Sequence, residues 1–127
     1  MKTNNVFIIL LMLFLHIVDD YYLQAGLLSK LKQKNWWTSQ KEYKEMYKYD
    51  YLIGLLMHSY SWAFMIMLPI AFKMNFDIST FFIITLIING IIHFIVDDLK
   101  ANKGKINLVI DQSIHIVQII VTAIILL

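Results

Sequence analysis

Three short stretches of this sequence set a histidine and an aspartate four residues apart. They are His16 and Asp20 in HIVDDYYLQ, His93 and Asp97 in HFIVDDLK, and Asp111 and His115 in DQSIH. On a helix, residues i and i+4 lie on one face about a turn apart, so each stretch aims an imidazole and a carboxylate the same way. The pairs extend into stripes: His16, Asp20, Gln24; then Asn89, His93, Asp97, Lys100; then Asp111, His115, Gln118, Thr122. His58, with Ser61 on its own face, completes the set of histidines. Imidazole nitrogen and carboxylate oxygen suit zinc, manganese or iron, magnesium less well, and soft copper(I) poorly. The candidate ligands are His16, Asp20, His58, His93, Asp97, Asp111 and His115. They exceed what one tetrahedral ion needs, which points to one or two ions with the remaining groups orienting the ligands. Gln24 and Lys100 extend their stripes by a turn and read as supporting or substrate-facing groups.

The elements that must position these residues are membrane helices. The chain has 127 residues, 59% of them hydrophobic, and 16% charged. Its mean hydropathy of +0.64 is far from that of an ordinary soluble domain. Four apolar segments, at about 6–28, 51–72, 78–99 and 108–127, each approach the roughly 20 residues that cross a bilayer core as a helix. The expected fold is all-α: one membrane domain over residues 1–127, built as an antiparallel bundle of four spans. Lys2 followed by an apolar run imitates a secretory signal, but no small-residue cleavage site follows, so the run is read as a retained helix. Pro69 is expected to kink or end the second span. Asp77 or Ser79 is expected to cap the third, and Gly104 to mark a turn before the fourth.

The first loop carries Ser39 and Glu42 in the S-x-x-E capping pattern, followed by Tyr43, Tyr47 and Tyr51 at helical spacing. This predicts an amphipathic interfacial helix, with Trp36 and Trp37 at headgroup level. Every cation is a lysine, and the net charge is only +2, so nucleic acid is not an expected partner. Lysines concentrate in the first and last loops, against Lys2 and Lys73 on the other side. The positive-inside rule then places both lysine-rich loops in the cytoplasm and both termini outside. In that frame all three His/Asp pairs and His58 fall in the cytoplasmic half of the bilayer, within roughly 10 Å of each other in height. A carboxylate inside a membrane costs on the order of 3 kcal/mol at the helix centre, so a set of them calls for a function. Asp19 and Asp98 lie about 100° around their helices from these residues and read as bystanders.

Three function classes fit. A metal that activates water gives hydrolysis of a lipid-borne ester or phosphoester. Membrane His/Asp chains also relay protons or ions, which gives a transporter or channel subunit; four spans are few for that, so a homo-oligomer would be needed. A polar network can instead simply hold four helices together in a structural membrane partner. Membrane lipids are the expected surroundings in every case.

HIVDDYYLQ resembles the H-x3-D-[FY]-x-L-Q motif of a family of small bacterial and phage integral membrane proteins, catalogued as a domain of unknown function. HFIVDDLK is similar to its H-x3-D-x2-K motif, and DQSIH to its D-Q-x2-H motif, with a further histidine matching His58. The resemblance covers essentially the whole chain. It carries over His16, Asp20, Gln24, His93, Asp97, Lys100, Asp111, Gln112 and His115. The chain departs from the pattern at Asp19, where a small residue is expected. The family is also distantly similar to membrane-bound metal-dependent hydrolases, which implies a class of activity without a substrate.

Overall fold

A computed structural model describes residues 3–127, and no strand occurs among them. The first helix, α1, runs Thr3–Ile17 and continues as one wide π-helical turn, Val18–Leu23. Two short helices follow, α2 (Leu27–Leu31) and α3 (Lys34–Thr38). Then come three long ones, α4 (Asp50–Lys73), α5 (Thr80–Ala101) and α6 (Leu108–Leu126). Four helices are long and apolar enough to cross a membrane. The first of these ends at Leu23 rather than at Leu28. Its last turn widens, with the Gln24 N–H donating to Asp19 O five residues back, and the chain then leaves the helix through Gln24–Gly26.

The helix ends follow local chemistry. Ser79 Oγ accepts the Phe82 N–H at the start of α5, and Asn107 Oδ1 accepts the Ile110 N–H at the start of α6. Of the two caps expected for the third span, Ser79 is the one used. Gly104 takes φ +59 in the connection between α5 and α6, a conformation that glycine adopts without cost. Pro69 does not end its helix. α4 runs on to Lys73, because Ile66, Ile70 and Ala71 are packed in the core on either side of the proline.

The interfacial helix expected from Ser39 and Glu42 does not form. Ser39 instead ends α3, and its hydroxyl donates back to Trp36 O. The Tyr43–Tyr47 stretch is a turn with a single 3-10 turn at Glu45–Tyr47. Other bonds, one local and one tertiary, win over the capping pattern here. Trp37 Nε1 donates to Leu31 O at 2.8 Å, and the Lys34 N–H donates to Asn102 Oδ1 at 2.7 Å, which fixes helical turns earlier in the loop, at α2 and α3.

The bundle is built around α4, which packs against α1, α2 and α5. Contacts join late residues of α4 to early residues of α1, and the reverse: Lys73 reaches Asn5, and His58 reaches Gln24. In the same way Lys100 of α5 meets Asp111 of α6, while Asn89 meets Thr122. Lys2 lies outside the described residues. Outward positions are apolar, among them Phe7, Phe14, Phe64, Ile91 and Ile124. The interior is divided. One end is a hydrocarbon core of Met12, Ile66, Met67, Ile70, Phe82 and Ile119, and the other end is almost entirely polar. Apolar outside and polar within is the arrangement expected of helices whose solvent is lipid.

Candidate metal centre

His58 is oriented from behind by a glutamine. Its Nδ1 contacts Gln24 Oε1, and the Gln24 amide nitrogen donates to Asp19 Oδ2 and, at 3.3 Å, to His58 O. Asp19 Oδ1 in turn accepts the Ser61 hydroxyl at 2.8 Å. Because the amide nitrogen is occupied in donating, Oε1 can only accept, so His58 Nδ1 donates and Nε2 is turned into the site. There Nε2 lies 2.7 Å from Asp97 Oδ2, 3.2 Å from His93 Nε2 and 3.6 Å from Asp20 Oδ1.

His115 is held in the same way. Gln118 donates through its amide to Asn89 O and Oδ1, so its Oε1 accepts from His115 Nδ1 at 3.2 Å. His115 Nε2 then faces Asp111 Oδ1 at 3.3 Å and Asp97 Oδ1 at 3.5 Å. His93 lies between the two sides, stacked on Trp62 at 4.3 Å and on His115 at 4.0 Å between ring centres. No second partner fixes its tautomer, since its Nδ1 is unpaired among the described residues. Its Nε2 can therefore give a proton to His58 or offer a lone pair.

Imidazole nitrogens and carboxylate oxygens thus converge on one another. Asp20 Oδ1, Asp111 Oδ1 and His115 Nε2 are buried and find no hydrogen-bond partner among the described residues. Leaving such groups unmatched is costly, and a cation resolves the mismatch. Two groups have ligand atoms close enough to hold an ion: Asp20, His58 and His93; and His93, Asp97 and His115. Carboxylates outnumber ammonium groups there, Asp19, Asp20, Asp97 and Asp111 against Lys32 and Lys100, an excess that a divalent cation would offset. His93 belongs to both groups, and a single Nε2 lone pair serves one ion at a time.

The sequence matches the profile of DUF3307, described as a protein of unknown function, over residues 6–127. The chain belongs to the DUF3307 family. No curated protein and no solved structure matches it.

In this DUF3307 protein five of the seven candidate ligands (Asp20, His58, His93, Asp97 and His115) fall in the two groups, and two do not. Trp62 Nε1 donates to His16 Nδ1 at 2.7 Å, so His16 Nε2 carries the proton and gives it to Gln112 Oε1 at 2.9 Å. Both nitrogens of His16 are engaged, and its ring forms a wall of the site. Asp111 sits beside His115, with its Oδ2 taken by Lys100 at 2.6 Å and by Gln112 at 2.9 Å. Gln24 is buried behind His58 rather than turned toward a substrate, whereas Lys100 is part-exposed at the rim.

Asp19 is not a bystander: it is fully buried and anchors Gln24. The wide turn moves it there, since a π-turn adds a residue per turn and brings Gln24 over Asp19, at i+5, instead of over Asp20 at i+4. Asp98 does stay outside, paired with Lys103 at 3.0 Å and Asn102 at 2.9 Å. Two residues escaped the sequence reading. Lys32 counted only as a loop charge, yet its Nζ lies 2.6 Å from Asp97 Oδ2 and 3.1 Å from His58 Nε2. Trp62 lacked any polar spacing signal, although it roofs His93 and donates to His16.

Proposed function

We propose that this protein is a membrane-embedded, metal-dependent hydrolase that acts on a lipid-borne ester or phosphoester. The observation that carries this reading is the pair of glutamine-held histidines, His58 and His115, whose Nε2 atoms face the carboxylates of Asp20, Asp97 and Asp111. The donor set of imidazole and carboxylate fits zinc, manganese or iron better than magnesium. A divalent ion held there supplies Lewis-acid polarisation and makes water nucleophilic near neutral pH.

The chain's own residues supply the rest. Gln24 and Gln118 hold the two imidazoles in one tautomer. Trp62, His16 and the apolar core close the inner side against water. Asp20 is the least buried carboxylate of the cluster, with 10% of its side chain exposed, and its Oδ1 would join His58 and His93 in holding the ion. Lys100, at 34% side-chain exposure, marks the rim through which a headgroup enters.

In this proposal the chain is one antiparallel membrane domain in a bacterial inner membrane, with the lysine-rich loops in the cytoplasm, termini outside and lipids around it. The reversed contact order between α1 and α4, and between α5 and α6, supports that arrangement. Metal analysis of the purified protein tests the reading. Bound metal at one or two per chain is expected, lost in His93→Ala and Asp97→Asn and kept in Asp98→Asn. Identical behaviour of all three variants overturns it.

A second reading, ion or proton passage by a homo-oligomer, has its own observation. Thr122, Asn89, Gln118 and His115 form a hydrogen-bonded ladder leading from the cluster into the middle of α5 and α6. Metal-free protein that carries a pH-dependent ion flux in liposomes would favour this reading. Protein with neither metal nor flux would leave the polar cluster a structural one.

A further inference from the structure

We infer that a small aromatic pocket beside the start of α4 binds a zwitterionic headgroup, a quaternary ammonium carried next to a phosphate. The pocket shares no residue with the metal centre and needs no metal. Its walls are Trp37, Gln40, Glu42, Tyr43, Lys44 and Tyr47, around a space of about 190 Å³. That is the room of roughly six waters, which suits a headgroup rather than a whole lipid.

The pocket lies where the first loop turns to enter the membrane. Tyr47 ends the 3-10 turn just ahead of Asp50, the first residue of α4. In the bilayer this is headgroup level, where tryptophan and tyrosine rings settle. The Trp37 ring is fixed, because its Nε1 donates to Leu31 O at 2.8 Å and Trp36 packs against it nearly at right angles. The Tyr47 ring lies 6.4 Å from that of Trp37 between centres and 30° from parallel. Tyr43 supplies the third ring, and all three are half-buried. Aromatic faces around one small space attract a cation, and a quaternary ammonium suits them best, since it has no N–H that must find an acceptor.

Charge narrows the ligand further. The neighbouring Glu45 is engaged by Lys48 at 3.1 Å, whereas the side chains of Glu42 and Lys44 make no hydrogen bond or ion pair among the described residues. A bare cation in the pocket would meet Lys44, and a bare anion would meet Glu42. A headgroup that carries both charges satisfies both. Its ammonium goes to the rings and Glu42, and its phosphate to Lys44, which binds it as a point charge. No ion pair has to break to admit it. A lipid of the surrounding bilayer and free phosphocholine present the same chemistry.

The test uses the full-length protein in a maltoside detergent, which carries no choline, and calorimetry with phosphocholine, choline and phosphoethanolamine. Wild type should bind phosphocholine, and each of the other two at least about fivefold more weakly. Tyr47→Leu and Glu42→Gln should each weaken phosphocholine binding by about fivefold or more, while Tyr47→Phe keeps it, which separates a lost ring face from a lost fold. Lys44→Met should bring phosphocholine down to the affinity of choline. Lipid extraction then reads what the protein retains from mixed micelles of phosphatidylcholine and phosphatidylglycerol. Preferential retention of phosphatidylcholine assigns the site to a lipid headgroup; binding of phosphocholine without preference between the lipids assigns it to the free molecule. If wild type binds no phosphocholine and prefers neither lipid, or if Tyr47→Leu and Glu42→Gln match wild type, the pocket is no headgroup site. The metal centre stands or falls independently, on its metal content.

Discussion

The glutamine behind His58 offers the sharpest perturbation of this centre. Gln24→Leu removes an acceptor from His58 Nδ1 and donors from Asp19 Oδ2 and His58 O, all in a buried place. A buried group left unpaired costs about 1–3 kcal/mol, and more if it is charged, so the variant should lose about 2–4 kcal/mol of stability. Metal affinity should fall about 10–100-fold, as is typical when the group orienting a histidine ligand is lost. A more discriminating change is Gln24→Glu, which keeps the acceptor but sets two carboxylates against each other. Adding Asp19→Asn restores a donor opposite an acceptor and removes one charge. The double variant should recover most of the loss, with a coupling of about 1–3 kcal/mol between the two positions. Stability is read from unfolding in mixed micelles, and metal binding from calorimetry on the same samples. Additive effects, or a Gln24→Leu variant with wild-type metal affinity, would refute the claim that Gln24 sets the tautomer of His58.

Gly54→Ala should cost about 1–3 kcal/mol and loosen the segment that delivers Lys32, because the new methyl meets the Leu31 backbone rather than a flexible side-chain tip; the melting temperature in detergent reports it. Trp62→Phe keeps a ring over His93 but removes the N–H that His16 Nδ1 accepts, and should destabilise the protein by about 1–3 kcal/mol without abolishing metal binding, checked by unfolding and metal analysis together. Cysteines placed singly at the exposed positions Ser39 and Asn4 should label from opposite sides of the membrane, with Ser39 protected in intact cells; labelling of Ser39 from outside reverses the proposed orientation.

Much of the architecture is legible in the residues alone, because lipid imposes a simple rule: a span must be long, helical and apolar outward. Four segments meet that rule in the sequence and are four helices in the structure, with the first ending early where the chain leaves the helix at Gln24. Helical periodicity likewise put His93 with Asp97 and Asp111 with His115, since an i, i+4 relation depends only on the backbone. Only the tertiary structure decided the rest. The π-turn that brings Asp19 inward in place of a surface position responds to Gln24 reaching His58, 34 residues away. Lys32 meets Asp97 across 65 residues of sequence, so a charge that looked like a topology signal became part of the site. The capping pattern at Ser39 was local, and it lost to a bond from Trp37 back to Leu31 and to one between Lys34 and Asn102, the second of which no local pattern could reveal. The sequence shows which groups a helix face carries. Which nitrogen of each imidazole bears a proton depends on what stands behind the ring, and that is set by the packing of one helix on another.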